Sequence, residues 1–198
     1  MKSQELKLIA DVSRACISSG IDLIFEEKEM LYDPYADIYC EGWFDETTKL
    51  MVVASKQAPQ DFIHTLSHEY CHLLQWKEGC KVFRTVNRSV DIMEDYLAGK
   101  LKRNKTVNRA INRVRAMELD CEKRNIDLLE SYKLYSREEG IKRANAYIYF
   151  YSALKETAKW YKRSPSTIPE VLFTMPINFV NNYEISDDLL ALYKKYCY

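Results

Sequence analysis

Across 198 residues the sequence has no uninterrupted apolar run of 18, so no transmembrane helix is expected. Glycine and proline are scarce, five of each, which leaves few obligatory turns and predicts much helix. Neither sign of charge is in excess: 29 Lys and Arg balance 29 Asp and Glu. That balance argues against a chain whose main task is coating nucleic acid or an anionic membrane. The opening segment, MKSQELKLIADVSRAC, lacks an apolar core and a small-residue cleavage site, so no signal peptide is expected. The six cysteines (Cys16, Cys40, Cys71, Cys80, Cys121 and Cys197) form no CxxC pair and no framework spacing. Without an export signal they read as reduced thiols in a cytoplasmic protein. No internal repeat, low-complexity tract or linker divides the chain, so a single domain over 1–198 is expected. With 47% hydrophobic and 29% charged residues it is globular in composition, and long enough to bury a core without a metal or disulfide merely to fold.

The patterning predicts an α+β fold that is mostly helical. Leu6, Ile9, Val12, Cys16 and Ile17 recur at helical spacing, and Gly20 is placed to stop that helix. Ile21–Phe25 reads as a strand. Ala36–Phe44 and Lys49–Ala54 flank a polar turn and read as a hairpin. Pro59 suits the first turn of a helix that runs to Glu78 and stops at Gly79. Further helices are expected near 88–102 and 105–134, and from a capping box at Ser136–Glu139 to about Lys162. Ser164–Pro176, with three of the five prolines, reads as an irregular segment, and Ser186 as the cap of a last short helix. The small N-terminal sheet is expected to pack against the helix that opens at Pro59.

Inside that helix stands His68-Glu69-Tyr70-Cys71-His72, an HExxH motif. Four helical residues advance about 6 Å and slightly more than complete one turn. Both imidazoles therefore leave one face and can converge on a tetrahedral Zn²⁺ at roughly 2.0–2.1 Å. Glu69 points beside the first ligand, within reach of a metal-bound water whose proton it can take as general base.

The three histidines of the chain, His64, His68 and His72, all lie on this helix. His64 and His72 stand about 12 Å apart along the axis and cannot share one ion, so His64 reads as a polar residue packed near the site. With no histidine after His72, an HExxHxxGxxH site is impossible. Gln75 stands where that pattern needs its glycine, and Glu78, where it needs the third histidine, would stay on the helix and miss the metal. The third ligand must come from elsewhere, as a carboxylate or, less commonly, a thiolate. Met117-Glu118-Leu119-Asp120-Cys121-Glu122 offers it. Glu118 and Glu122 share a helical face, so one can bind the metal while the other accepts the free N–H of a ligating histidine. Asp120 points elsewhere on the helix and is a weaker choice. Cys121 is the thiolate alternative.

SHEYCHLLQW followed by MELDCEKR resembles the gluzincin branch of the zincin-like metallopeptidases, in particular small uncharacterised proteins of that type encoded by tailed phages. The likeness covers the two site helices and, loosely, the tyrosine-rich stretch from Ala144 to Pro176. It implies a zincin-like fold, one catalytic zinc ion and hydrolysis of a peptide or protein substrate. Location in the host cytoplasm follows if the protein is phage-encoded. By position His68 and His72 match the paired ligands, Glu69 the general base, Glu118 the ligand glutamate and Glu122 the acid behind a ligand. The branch also implies a sheet edge beside the bound peptide, here Lys49–Ala54 or the aromatic strand before it. A different class of function, a zinc-containing module that holds a protein partner without hydrolysing it, stands as the alternative.

A zincin also needs a donor for the developing oxyanion, and Tyr147, Tyr149, Tyr151 and Tyr161 are candidates among which the sequence does not choose. Tyr147 and Tyr151 share a face, and an aromatic stripe at that spacing is more often core. The basic run from Lys100 to Arg115 lacks interleaved aromatics and reads as a solvated face rather than a nucleic-acid surface. Trp43, Trp76 and Trp160 read as core or groove residues.

Overall fold

The computed structural model describes residues 2–34 and 37–198. Helix α1 (Ser3–Ser18) buries Leu8, Val12 and Cys16, a single stripe at i, i+4 and i+8. It is followed by β1 (Asp22–Glu26), a short ribbon of β2 (Leu31–Asp33) and β3 (Ile38–Cys40), then β4 (Gly42–Asp45) and β5 (Leu50–Ala54). Strand β5 is central: β1 runs parallel to it on one side and β4 antiparallel on the other. Met51, Val52, Val53 and Ala54 are all buried, as expected of a strand covered on both faces.

The hairpin at 45–49 forms as expected, but its first arm is not one strand. Ala36 lies outside the described residues, and the remainder breaks at Glu41. Residues 38–40 pair with β2, whereas 42–45 pair with β5. The Glu41 carbonyl at the break accepts the Ala54 N–H at 2.9 Å. A single strand could not change partners without such an interruption.

Helix α2 (Pro59–Lys77) starts on its proline and ends before Gly79, whose φ of +64° is the left-handed stop. One face, through Ile63, Leu66 and Leu73, packs against α1 and the sheet together with Met51 and Val53. A short α3 (Lys81–Arg84) comes next, unforeseen from the sequence. Helix α4 (Asn87–Leu97) then stops earlier than expected, because the N–H groups of Lys100 and Leu101 fold back onto the Asp95 carbonyl. Helix α5 (Lys105–Ser131), capped by Asn104 on Thr106 and Val107, is the spine. At 27 residues it is about 40 Å long. Val107, Ile111, Val114 and Met117 enter the C-terminal core, and Leu129 enters the N-terminal one.

Helix α6 (Arg137–Thr157) is capped by Ser136, which accepts the Glu139 N–H. The Glu139 carboxylate lies toward Arg143, at 3.9 Å. The helix ends at Thr157 rather than near Lys162 because Ala158 takes a left-handed conformation, φ +52°. The proline-rich stretch is more regular than expected. It holds a 3₁₀ turn, Pro165–Thr167, and α7 (Pro169–Thr174), each started by its proline. Ser186 caps α8 (Asp187–Tyr196). The fold is thus α+β and mostly helical, with a small sheet against the HExxH helix. Among the described residues no helix is long and apolar enough to cross a membrane. All six cysteines are free thiols.

Candidate metal centre

Packing of α2 against α5 brings the two motifs face to face. His68 and His72 leave α2 one turn apart, and Glu118 and Glu122 leave α5 one turn apart; all four are buried. The Nδ1 of His68 lies 2.8 Å from Glu122 Oε1, and the Nδ1 of His72 lies 2.8 Å from Gln75 Oε1. Each of those oxygens is an acceptor, so each ring carries its proton on Nδ1 and turns the Nε2 lone pair inward. The two Nε2 atoms are 3.1 Å apart, and Glu118 Oε2 stands 3.2 Å from one and 3.5 Å from the other.

Three ligands on a tetrahedron with bonds of about 2.0–2.1 Å stand about 3.3 Å from one another, which is the size of this triangle. In the neutral rings all three atoms offer a lone pair, and Glu118 Oε2 is a buried oxygen without a hydrogen-bond partner among the described residues. Buried acceptors aimed at a common point repel unless a cation or protons lie among them. The residues therefore fit a divalent ion. Ionisation follows the same logic. Burial opposes a proton on His68, but the Glu118 and Glu122 carboxylates outweigh it and hold the imidazole's proton affinity well above its ordinary value. His72 is raised against its own burial, by Glu118. Burial likewise disfavours the Glu118 anion, but His72 and His68 pull its carboxyl far below the usual range.

Cys121 lies close by. Its sulfur is 3.7 Å from His68 Nδ1 and donates to the His68 carbonyl at 3.3 Å. Ligand atoms of His68, His72 and Cys121 all fall within 4.8 Å of one another, so this buried trio could hold a metal ion. Cys121 nevertheless comes from the Nδ1 side, where Glu122 already bonds. Burial, with the neighbouring Cys71, pushes its thiol well above its ordinary value. A protonated thiol is a poor ligand, and the Nε2 side has the more complete set of donors.

The other candidates separate clearly. His64 lies 3.7 Å from Glu122 Oε2 and 3.4 Å from Asn125 Nδ2, behind the Glu122 carboxylate and away from the triangle. Asp120 and Glu78 are both bonded by Arg124, at 2.7 Å each. Gln75, which the sequence marks only as a missing glycine, is fully buried and holds His72. The available signal is its i+3 spacing from His72 on one helix face.

A cavity of about 650 Å³ opens over the triangle, lined by the site residues and by β4, the β2–β3 ribbon, α6 and the 3₁₀ turn. Glu69 faces it. Burial raises its carboxyl above the ordinary value, with His68 and His72 pulling part of the way back. The cavity wall bends in at Gly42 of β4. A Cβ there would lie 2.9 Å from Thr65 Cγ2, 3.0 Å from the Val52 carbonyl oxygen and 3.2 Å from Glu69 Cγ, so a side chain at this position would crowd α2 and its own sheet. Trp43 and Trp160 line the cavity, whereas Trp76 packs on Phe44 at 6.2 Å between ring centroids.

Of the four tyrosines, Tyr149 packs on Tyr183, with centroids 5.0 Å apart, and Tyr161 lines the cavity but gives its hydroxyl to Glu41 at 2.8 Å. Tyr147 and Tyr151 line the cavity, their hydroxyls 3.0 Å apart and the Tyr147 ring edge-on to His68. Tyr151 is core as well, at 1% exposure. Burial and the Glu118 charge keep both phenols protonated. The Lys100–Arg115 run is split in space: Lys100 pairs with Asp95, Arg103 with Glu156, and Arg115 turns inward to Ser152.

No protein-family model matches the chain, and neither does any curated protein or solved structure.

Proposed function

We propose that this protein is a zinc-dependent metallopeptidase of the zincin type, with His68, His72 and Glu118 as the ligands and Glu69 as the general base. The observation that carries the reading is the buried triangle of two Nε2 atoms and one carboxylate oxygen, 3.1, 3.2 and 3.5 Å on its sides, whose Glu118 Oε2 has no hydrogen-bond partner among the described residues. Two imidazoles and a carboxylate form a donor set suited to catalytic zinc, which leaves a fourth position open. Bound there, zinc would polarise a scissile carbonyl and acidify the attacking water.

The chain's own residues then have distinct tasks. Glu122 keeps the proton of His68 on Nδ1 and its ring in place. Glu69, with a carboxyl raised by burial, takes a proton from the attacking water and returns it to the leaving amine. The Tyr147 and Tyr151 hydroxyls are protonated donors on the cavity wall and can stabilise the oxyanion. Among the described residues strand β4 pairs with β5 on one side only, so its other edge can bind an extended peptide across the cavity.

The test is metal analysis with paired variants. Purified protein should carry about one zinc per chain; His68→Ala and Glu118→Ala should lose it. Glu69→Gln should keep the ion and lose cleavage in a peptide-library screen. Zinc content unchanged in both ligand variants would refute the site. A zinc-loaded wild type that cleaves nothing, with or without chelator, would favour a protein-binding module instead.

A further inference from the structure

Behind His72 runs a chain of hydrogen bonds that the proposed chemistry does not use. His72 Nδ1 meets Gln75 Oε1 at 2.8 Å. The Gln75 amide nitrogen donates to Asp120 Oδ2 at 2.8 Å and to the Met117 carbonyl at 3.1 Å. Asp120 Oδ2 in turn accepts from Arg124 Nε at 2.7 Å, and Arg124 reaches Glu78 at the C-terminal end of α2, also at 2.7 Å. The chain leads from a fully buried amide to residues at the surface.

The polarity of this chain follows from what each group can do. A primary amide has one acceptor end and one donor end, and it can be turned over without changing its shape. Asp120 and the Met117 carbonyl both lack a proton to give, so both demand the NH₂ end. The oxygen end is left for His72, and an oxygen can only accept. The ring must therefore carry its proton on Nδ1, which leaves the Nε2 lone pair for the triangle. Turned over, the amide would set NH₂ against Nδ1, favour the Nε2–H form and block ligation at that atom.

We infer that Gln75 and Asp120 are positioning residues that lock the tautomer of His72: Asp120 orients the Gln75 amide, and the amide selects the ring nitrogen that faces the metal. This inference rests on the zinc site proposed above. Asp120 reaches His72 through Gln75, also accepts from the Cys80 thiol at 3.8 Å, and sits two positions from the ligand glutamate on α5. Arg124 holds Asp120 in place from the solvent side.

Because Asp120 acts through Gln75, the two residues must be energetically coupled. The experiment is a double-variant cycle on the full-length protein, read as zinc affinity by competition with a chromophoric chelator. Gln75→Met should weaken zinc binding about 10- to 100-fold, the range for residues that orient a ligand. Asp120→Asn should lose about tenfold by the same mechanism. The combined variant should be no weaker than Gln75→Met alone. In zinc-loaded wild type, ¹H–¹⁵N spectra of His72 should show the proton on Nδ1, and Asp120→Asn should broaden or lose that signal. Asp120→Asn keeps the side-chain shape, and circular dichroism verifies its fold. Losses that multiply in the double variant would assign both residues to helix packing and overturn the inference, as would Asp120→Asn binding zinc like wild type. A wild type that binds no zinc would refute the metal site itself, a result distinct from wild-type binding with unaltered variants.

Discussion

The two histidines of the HExxH motif are backed differently. Behind His68 stands a carboxylate, Glu122, 1% exposed, with His64 and Asn125 packed beyond it. Behind His72 stands a neutral amide, Gln75, whose orientation depends on the partly exposed Asp120. The first support is a buried charge that bonds the ring directly and strengthens it as a donor. The second carries no charge at the ring and draws its direction from an ion pair near the surface. A site can thus secure both nitrogens while burying only one extra anion, which limits the desolvation cost of gathering carboxylates in one place.

Removing the ion should have the largest effect, since its binding free energy is then lost from the folded state. At zinc about 1,000-fold above its dissociation constant, binding contributes about 4 kcal/mol to stability. For a chain of this size that corresponds to about 8–16 °C in the melting temperature. Scanning calorimetry with and without a chelator would check it, and an unchanged midpoint would deny the site any role in the folded state. Next comes the charged support. Glu122→Gln keeps an acceptor but removes the anion, and zinc affinity should fall about 100-fold, at the upper end for this kind of contact. If Glu122→Gln costs no more than Gln75→Met, the contrast between charged and neutral backing is void.

Acidification sharpens the comparison further. Protons and metal compete for the same lone pairs. His68 and His72 both hold a proton more tightly than an ordinary histidine, so competition begins above pH 6.5 and strengthens as the pH falls; the Glu118 carboxyl, held low, does not join in until much lower pH. Apparent zinc affinity should drop by up to about tenfold per pH unit for each proton displaced. Isothermal titration in buffers of different ionisation enthalpy would count those protons; none released would contradict the raised imidazoles. The smallest expected effect lies outside both supports. Gly42→Ala would set a Cβ 2.9 Å from Thr65 Cγ2, 3.0 Å from the Val52 carbonyl and 3.2 Å from Glu69 Cγ, and thermal unfolding should show about 1–3 kcal/mol of overpacking while zinc content stays unchanged. Loss of zinc in that variant would mean that β4 braces the metal ligands as well as the base.

Much of this site is legible in the residues alone, and the reason is helical periodicity. His68 with His72, and Glu118 with Glu122, must each share a face once their segments are helical, and the stops at Gly20 and Gly79 stand where expected. The failures are equally physical. The break at Glu41 depends on which strand each half of 38–45 pairs with, and the end of α6 on a left-handed alanine that no local rule singles out. The i+3 spacing of Gln75 from His72 hints at contact, but which end of its amide faces the ring is set by partners 42 and 45 residues away. Choosing Tyr147 and Tyr151 over Tyr149 likewise required knowing which side of α6 meets the cavity, and setting Tyr161 aside required its bond to Glu41.

The sequence by itself determined the histidine pair and the glutamate pair and their spacing, because a repeat of 3.6 residues sets which side chains stand together on any helix. Only the tertiary structure decided that the face of α2 bearing the histidines meets the face of α5 bearing the glutamates. It also decided that Gly42 lets the sheet edge touch Glu69 and that Asp120 turns Gln75 toward His72. Those outcomes depend on how apolar stripes far apart in the chain pack against one another, and local pattern does not encode the register of that packing.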